Sequence, residues 1–287
     1  MNDTELASLR GRVCVVTGAN SGIGKEATRG LARLGATVVM VCRDAGRGEA
    51  ARAEIAAETG NDALQLAVVD LASQRAIRDF AAGFQQRHPA VHVLVNNAGI
   101  WSERRRVGPD GIELVWATNQ LGYFLLTALL RDALKRGAPA RVVNVASQLA
   151  RDLDLEDVEF RRRSYSGIGA YAQSKQANRL WTWALSRRLA GSGVTANAMH
   201  PGGVNTPLFG KGGGLRSLLA SFYMRFAGRT PQEGADTIVW LAASPALEGT
   251  TGAFWYRRRE MPCRFRDEAT EERLWELCKR MVSSSVR

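Results

Sequence analysis

Tyr171 and Lys175 stand four residues apart in Tyr171-Ala172-Gln173-Ser174-Lys175, inside a strongly helical pattern. That interval places both side chains on one helix face. An ammonium beside a phenol favours the phenolate, so the pair is expected to bring an acid of ordinary pKa about 10 toward neutrality. Such a tyrosine suits general acid–base work on a carbonyl/alcohol couple. The nearby Tyr165 has Gly169 at the same interval and no such partner. A tyrosine and a lysine at this spacing are common on helices, so the weight falls on the polar residues in order around them. Asn119 and Ser147 precede the pair, and His200-Pro201-Gly202 follows it.

A second group of residues suits a nucleotide. Thr17-Gly18-Ala19-Asn20-Ser21-Gly22-Ile23-Gly24 joins a predicted strand to a predicted helix. Glycines there permit a tight turn and let the backbone approach a pyrophosphate, which the positive end of the helix stabilises. Gly18, Asn20, Ser21, Gly22, Ile23 and Gly24 are therefore cofactor-binding candidates. At the end of the second predicted strand, an arginine would pair with a ribose 2′-phosphate and an acidic residue would hydrogen-bond a free 2′-hydroxyl. Arg43 comes first in that turn and Asp44 follows, so NADP(H) is expected and NAD(H) stays open through Asp44.

These groups need a frame. Apolar, β-branched runs at 12–17, 37–42, 64–69, 91–96, 141–145, 194–199 and 254–256 alternate with longer helical segments. Runs without polar alternation imply strands covered on both faces, and the helical spacers suit parallel crossovers. The expected fold is α/β, a doubly wound Rossmann sheet of about seven parallel strands flanked by helices. No linker, repeat or low-complexity tract divides residues 1–287, so one domain is expected. In such a sheet the ligand lies beyond the carboxyl ends of the strands, where the chemistry-bearing loops fall.

In this order, Thr17-Gly18…Gly22…Gly24, Asn96-Asn97-Ala98-Gly99, Asn119, Ser147, Tyr171, Lys175 and His200-Pro201-Gly202 resemble the short-chain dehydrogenase/reductase family over essentially the whole chain. The long Ser147-to-Tyr171 interval and the tail Arg273-Leu274-Trp275-Glu276-Leu277 resemble its retinol-dehydrogenase and WW-domain-oxidoreductase-like branch. One departure is Ala146-Ser147, where that branch more often has two serines.

The resemblance implies an oxidoreductase acting on a small carbonyl or alcohol, with Asn119, Ser147, Tyr171 and Lys175 as a catalytic tetrad. Ser147 would hydrogen-bond the substrate oxygen and Tyr171 would pass it a proton. Lys175 would lower the tyrosine pKa and hold the nicotinamide ribose, while Asn119 would hold a relay water. Asp70, Leu71, Asn97, Ala98 and Gly99 would line the adenosine, and Pro201, Gly202, Val204 and Thr206 would orient carboxamide and phosphates. It further implies a substrate lid over about 207–230, a C-terminal helix over about 268–283, and pairing of subunits through the Tyr171 helix.

Composition limits the alternatives. The 287 residues carry a formal charge of +11, which first suggests nucleic acid. Three triplets, Arg104–Arg106, Arg161–Arg163 and Arg257–Arg259, account for nine of those charges and fall in predicted carboxyl-end loops. No nucleic-acid-binding signature accompanies them, so no nucleic-acid partner is expected; a basic rim for an anionic ligand, or solvated loops, are the readings left. Cys14, Cys42, Cys263 and Cys278 form no disulfide or metal pattern, and His88, His92 and His200 fall in no ligand spacing, so no metal is expected. No run approaches the ~20 apolar residues of a membrane span, and the polar start Met1-Asn2-Asp3-Thr4-Glu5 lacks a signal layout. A cytoplasmic protein is expected, with peripheral membrane contact left open. A Gly hinge at 210–214 and apolar residues Leu218, Leu219, Phe222, Tyr223 and Phe226 suggest an amphipathic helix, core-facing or in contact with a membrane or partner; as the lid that the resemblance implies, it points to a lipophilic substrate. The competing class is an NADP(H)-binding redox sensor or scaffold with little turnover.

Overall fold

The computed structural model describes residues 6–204 and 229–283. Its strands are β1 (Val13–Thr17), β2 (Thr37–Cys42), β3 (Leu64–Val68), β4 (Val93–Asn96), β5 (Ala140–Val145), β6 (Val194–Met199), β7 (Phe254–Tyr256) and β8 (Arg259–Glu260). The intervening helices are α1 (Gly22–Arg33), α2 (Ala45–Thr59), α3 (Gln74–Arg87), α4 (Leu114–Trp116), α5 (Gly122–Arg136), α6 (Gly167–Arg188), α7 (Pro231–Ala243) and α8 (Glu268–Ser283). A π-helical turn, Ala117–Leu121, joins α4 to α5.

The sheet order is β3-β2-β1-β4-β5-β6-β7-β8, parallel from β3 to β7. Alternate strand residues feed two cores, as their period of two requires. Val15, Val39, Leu94 and Val142 face α3, α5, α6 and α8, whereas Cys14, Val38, Val95 and Val143 face α1, α2 and α7. The strand order reverses between β1 and β4, and that crevice is where a doubly wound sheet binds its ligand.

Among the described residues the sheet has eight strands rather than about seven, and the last is antiparallel to β7. Arg257 and Arg258 turn the chain between them with φ of 52° and 58°. Left-handed residues at both central positions suit a two-residue hairpin, but the usual signal is Asn-Gly. Two arginines hid the turn and made a basic loop of what is a ribbon.

Helix ends are set locally. The Asp44 carboxylate accepts the Arg47 amide at 2.8 Å at the start of α2, and Ser166 accepts from Gly169 at the start of α6. A capping box, Thr230 with Glu233, opens α7. Helix α8 lies across α6: Arg187 pairs with Glu271 and Glu272, and Arg188 pairs with Glu272 and stacks 4.1 Å from the Trp275 ring centroid. Leu274 and Cys278 of α8 are fully buried. This packing holds α6, the helix carrying Tyr171 and Lys175, from its outer side.

Candidate active site

The carboxyl ends of β1, β2 and β4 open into a cleft of about 860 Å³. Gly18, Asn20, Ser21, Gly22, Ile23, Gly24, Arg43, Asp70, Leu71, Asn97, Ala98 and Gly99 line it, with Tyr171, Lys175 and Pro201 farther along. Its glycines are required by space. Gly18 has φ +68°, and a Cβ there would lie 2.9 Å from the Ala98 Cα. A Cβ on Gly24 would lie 2.3 Å from the Gly18 carbonyl oxygen and 2.4 Å from Asn97 Nδ2. The backbone is thus drawn close at the head of α1, the geometry a pyrophosphate needs.

Thr17, which sequence reasoning placed only at the edge of the loop, ties this cradle together. Its hydroxyl accepts the amides of Asn97 (2.9 Å) and Ala98 (3.0 Å), and its carbonyl accepts Asn97 Nδ2 at 2.9 Å. From behind, the buried Tyr123 hydroxyl donates to the Ala98 carbonyl at 2.8 Å. The dinucleotide therefore fits: the cradle is rigid, main chain can approach it, and Arg43 with Arg47 lines its β2 end. Arg47 was missed because it lies one helical turn beyond the strand end that the sequence pattern singles out.

The polar groups of the reaction end converge from three elements. Ser147 follows β5, and its hydroxyl hydrogen-bonds Tyr171. Tyr171 and Lys175 are only 7% and 2% exposed. Lys175 Nζ donates to the Val145 carbonyl at 2.8 Å and to Asn178 Oδ1 at 3.2 Å, and lies 5.8 Å from the Tyr171 ring centroid. The expected lowering of the phenol by the ammonium is corrected here. Burial dominates both groups, pushing Tyr171 up to about 12 and Lys175 down to about 7. The Ser147 hydrogen bond pulls the phenol partly back.

Asn119 sits in the π-helical turn, a distortion often found at functional sites. Its side chain clamps Ile100, accepting the Ile100 amide at 2.8 Å and donating to the Ile100 carbonyl at 3.0 Å and to Ser174 Oγ at 3.1 Å. Its own carbonyl accepts from Asn178 Nδ2 at 2.8 Å. Asn178 therefore joins Lys175 to Asn119 through its side chain. Its place one turn after Lys175 is the signal that could have found it.

Pro201 reaches the cleft, and the loop behind it is shaped by Gly202 at φ +81°. The Gly202 amide donates to His200 Nδ1 at 3.2 Å, and His200 stacks on Tyr256 at 4.2 Å. Burial, helped by the Arg179 charge, drives His200 down to about 4, so the ring is neutral and accepts that bond. Val204 bridges Arg229 instead of lining the cleft and packs near Ile23 across Gly234. Thr206 and the lid segment lie outside the described residues, apart from 207–230's last two positions.

Arg179 was not foreseen. It is 7% exposed, donates to the Ser147 carbonyl, and its guanidinium lies 3.9 Å from the Phe254 ring centroid. No carboxylate pairs with it among the described residues, so this cation fixes the serine loop from beneath.

The triplets are not a uniform rim. Arg105 donates to the Glu159 carbonyl at 2.8 Å, Arg161 pairs with Glu159, Arg163 with Asp157, and Arg258 with Asp236. These arginines staple loops. Only Arg104 and Arg106 of the nine line the cleft.

The profile of the short chain dehydrogenase family matches residues 12–213. The chain belongs to that family. Human Retinol dehydrogenase 12 is 41% identical over 271 residues, 93% of this chain and 85% of that protein. Human Retinol dehydrogenase 13 is 37% identical over 286 residues, 96% of this chain and 86% of that one. Among solved structures, an uncharacterized protein from Mycobacterium paratuberculosis superposes with a TM-score of 0.78 at 33% identity, covering 99% of this chain and 97% of its own. A short chain dehydrogenase from Burkholderia cenocepacia in complex with NADP gives 0.68 at 26% identity, covering 86% and 96%. This short-chain dehydrogenase is an oxidoreductase of the CH–OH/C=O class with a cleft suited to a nicotinamide dinucleotide.

Proposed function

We propose that the protein is an NADP(H)-dependent reductase of lipophilic aldehydes or ketones, with Tyr171 as proton donor. The observation that carries this reading is the buried, protonated Tyr171 phenol hydrogen-bonded to the Ser147 hydroxyl beside the cleft. A phenol held near 12 keeps its proton at neutral pH, which suits donation to a carbonyl oxygen that is gaining negative charge. Ser147 orients that oxygen by hydrogen bonding, and Arg179 holds the serine in place. Lys175, near 7, contributes its N–H groups to the nicotinamide ribose and, when charged, favours loss of the tyrosine proton. The proton returns to the tyrosine from solvent by a water held near Lys175 and Asn119, which Asn178 positions by bonding to both. The bound cofactor supplies the hydride equivalent.

Two observations support the substrate class. Leu149, two residues after Ser147, is 42% exposed, and Ile168, one turn before Tyr171, is 52% exposed. Exposed apolar side chains so close in sequence to Ser147 and Tyr171 suit a lipophilic body, and the relatives named retinol dehydrogenases are in keeping with it. NADP(H) is favoured by Arg43 and Arg47 at the β2 end of the cleft. Asp44, the alternative ribose ligand, has Oδ1 engaged by the Arg47 amide.

The test is NADPH and NADH oxidation with aldehydes of increasing chain length. Turnover should rise with chain length and run faster on NADPH. Substituting Arg43→Gln and Arg47→Gln together should lower the NADPH:NADH ratio of kcat/KM by about 10- to 100-fold, the worth of charge-assisted contacts to a phosphate. An unchanged ratio would remove the arginines from cofactor choice.

A further inference from the structure

The loop between β4 and α4 is pinned at successive points. Ser102 Oγ donates to the Arg104 carbonyl at 2.7 Å, Arg105 Nε to the Glu159 carbonyl at 2.8 Å, and the Leu114 amide to the Arg106 carbonyl at 2.9 Å. Val107 then forms an antiparallel bridge with Glu113. Exposure alternates along the triplet, with Arg104 and Arg106 exposed and Arg105 half-buried between them. Arg105 accordingly turns back onto Glu159, while Arg104 and Arg106 line the cleft. Neither guanidinium pairs with a carboxylate among the described residues. The other arginine triplets do not line the cleft, and Arg161, Arg163 and Arg258 within them pair with carboxylates.

This wall belongs to the reaction end. Two residues before Arg104, the Ser102 carbonyl lies against the start of α6, where a Cβ on Gly167 would come within 2.3 Å of it. Tyr165 donates to the same carbonyl at 3.3 Å. Arg104 thus emerges from a segment braced on the turn that precedes Tyr171. Arg43 and Arg47 lie on the cleft wall at the end of β2 and serve the ribose phosphate in the reading above.

We propose that Arg104 and Arg106 form an anion subsite of the substrate channel, which receives a carboxylate or phosphate borne by a carbonyl substrate with an apolar body. This rests on the carbonyl-reductase reading. The pinned backbone presents two guanidiniums, without a carboxylate partner among the described residues, at the cleft, and their field raises the local concentration of an anion there.

A matched pair of aldehydes tests it: 4-carboxybenzaldehyde and benzaldehyde, at saturating NADPH and several ionic strengths. The R104Q/R106Q double variant should lower kcat/KM for the carboxylated aldehyde about tenfold or more and abolish its salt dependence. Benzaldehyde turnover and the NADPH dissociation constant should stay within twofold, and R104K/R106K should retain most of the salt dependence. Equal losses on both aldehydes would overturn the subsite. Weakened NADPH binding without discrimination between the aldehydes would instead assign these arginines to the cofactor. If the wild type reduces neither aldehyde, the reductase reading has failed and benzoate binding by calorimetry decides the subsite. Binding weakened tenfold in R104Q/R106Q would sustain it, and no binding or equal binding would overturn it.

Discussion

Lys175→Met is expected to destroy turnover and yet raise the thermal midpoint of the protein at pH 6. The two effects share one cause, the burial of an ammonium with no carboxylate beside it among the described residues. Lys175 is 2% exposed, and burial brings its pKa down to about 7 from 10.5. Between those values the unfolded chain binds a proton that the folded chain does not, so stability rises with pH across that window. Below about pH 7 the penalty is fully present, on the order of 5 kcal/mol from the displacement alone. Methionine fills similar volume without the charge, but leaves the Val145 carbonyl and Asn178 Oδ1 without their donor. Those losses offset about 1–2 kcal/mol. The net gain at pH 6 is about 3–4 kcal/mol, or about 5–7 °C in the midpoint. It should shrink as pH rises and vanish or reverse by pH 10. Differential scanning calorimetry at pH 6, 8 and 10 measures it; a variant destabilised equally at all three would show that Lys175 is not a strained cation.

Gly24→Ala should cost more than its single methyl suggests. The added Cβ would meet the Gly18 carbonyl oxygen at 2.3 Å and Asn97 Nδ2 at 2.4 Å. Neither is the loose end of a flexible side chain, because Asn97 Nδ2 is already spent on the Thr17 carbonyl at 2.9 Å. The head of α1 must move away from β4, so about 2–3 kcal/mol of stability should be lost to overpacking. NADPH affinity should fall by about 100-fold or more, because the cradle is built from the atoms that move. Gly83→Ala is the contrast. It lies within α3 with nothing within 4 Å of the added carbon, so it should be neutral or stabilising by up to about 1 kcal/mol. Chemical denaturation and fluorescence titration with NADPH measure both; an affinity unchanged in Gly24→Ala would mean that the cradle does not hold the dinucleotide.

The strands were legible because covered parallel strands write themselves as unbroken apolar runs, and the cradle because glycine spacing is a backbone requirement. Side chains that act through a third residue left weaker marks. Thr17 reads as the last residue of a strand, yet its hydroxyl joins β1 to the loop after β4. Asn178 and Arg179 look like ordinary helix positions until the fold brings Asn119 and the Ser147 carbonyl against them. The tyrosine–lysine pair was found by spacing, but spacing carries no information on desolvation, and desolvation reversed the expected direction of the phenol. Likewise, the arginine triplets were read as one class because sequence shows charge and hides the partner. Asp157, Glu159 and Asp236 neutralise several of those arginines from other parts of the chain.

The central claim, a reductase whose proton comes from Tyr171, is tested most directly by carbonyl-dependent oxidation of NADPH in the wild type and in Tyr171→Phe. The ring is buried and its hydroxyl meets Ser147, so phenylalanine keeps the packing and removes only the proton. The account predicts turnover of a lipophilic aldehyde by the wild type and a loss of about 10²- to 10⁴-fold in kcat for the variant. NADPH binding and the thermal midpoint should be nearly unchanged. Turnover by Tyr171→Phe at a wild-type rate would contradict it.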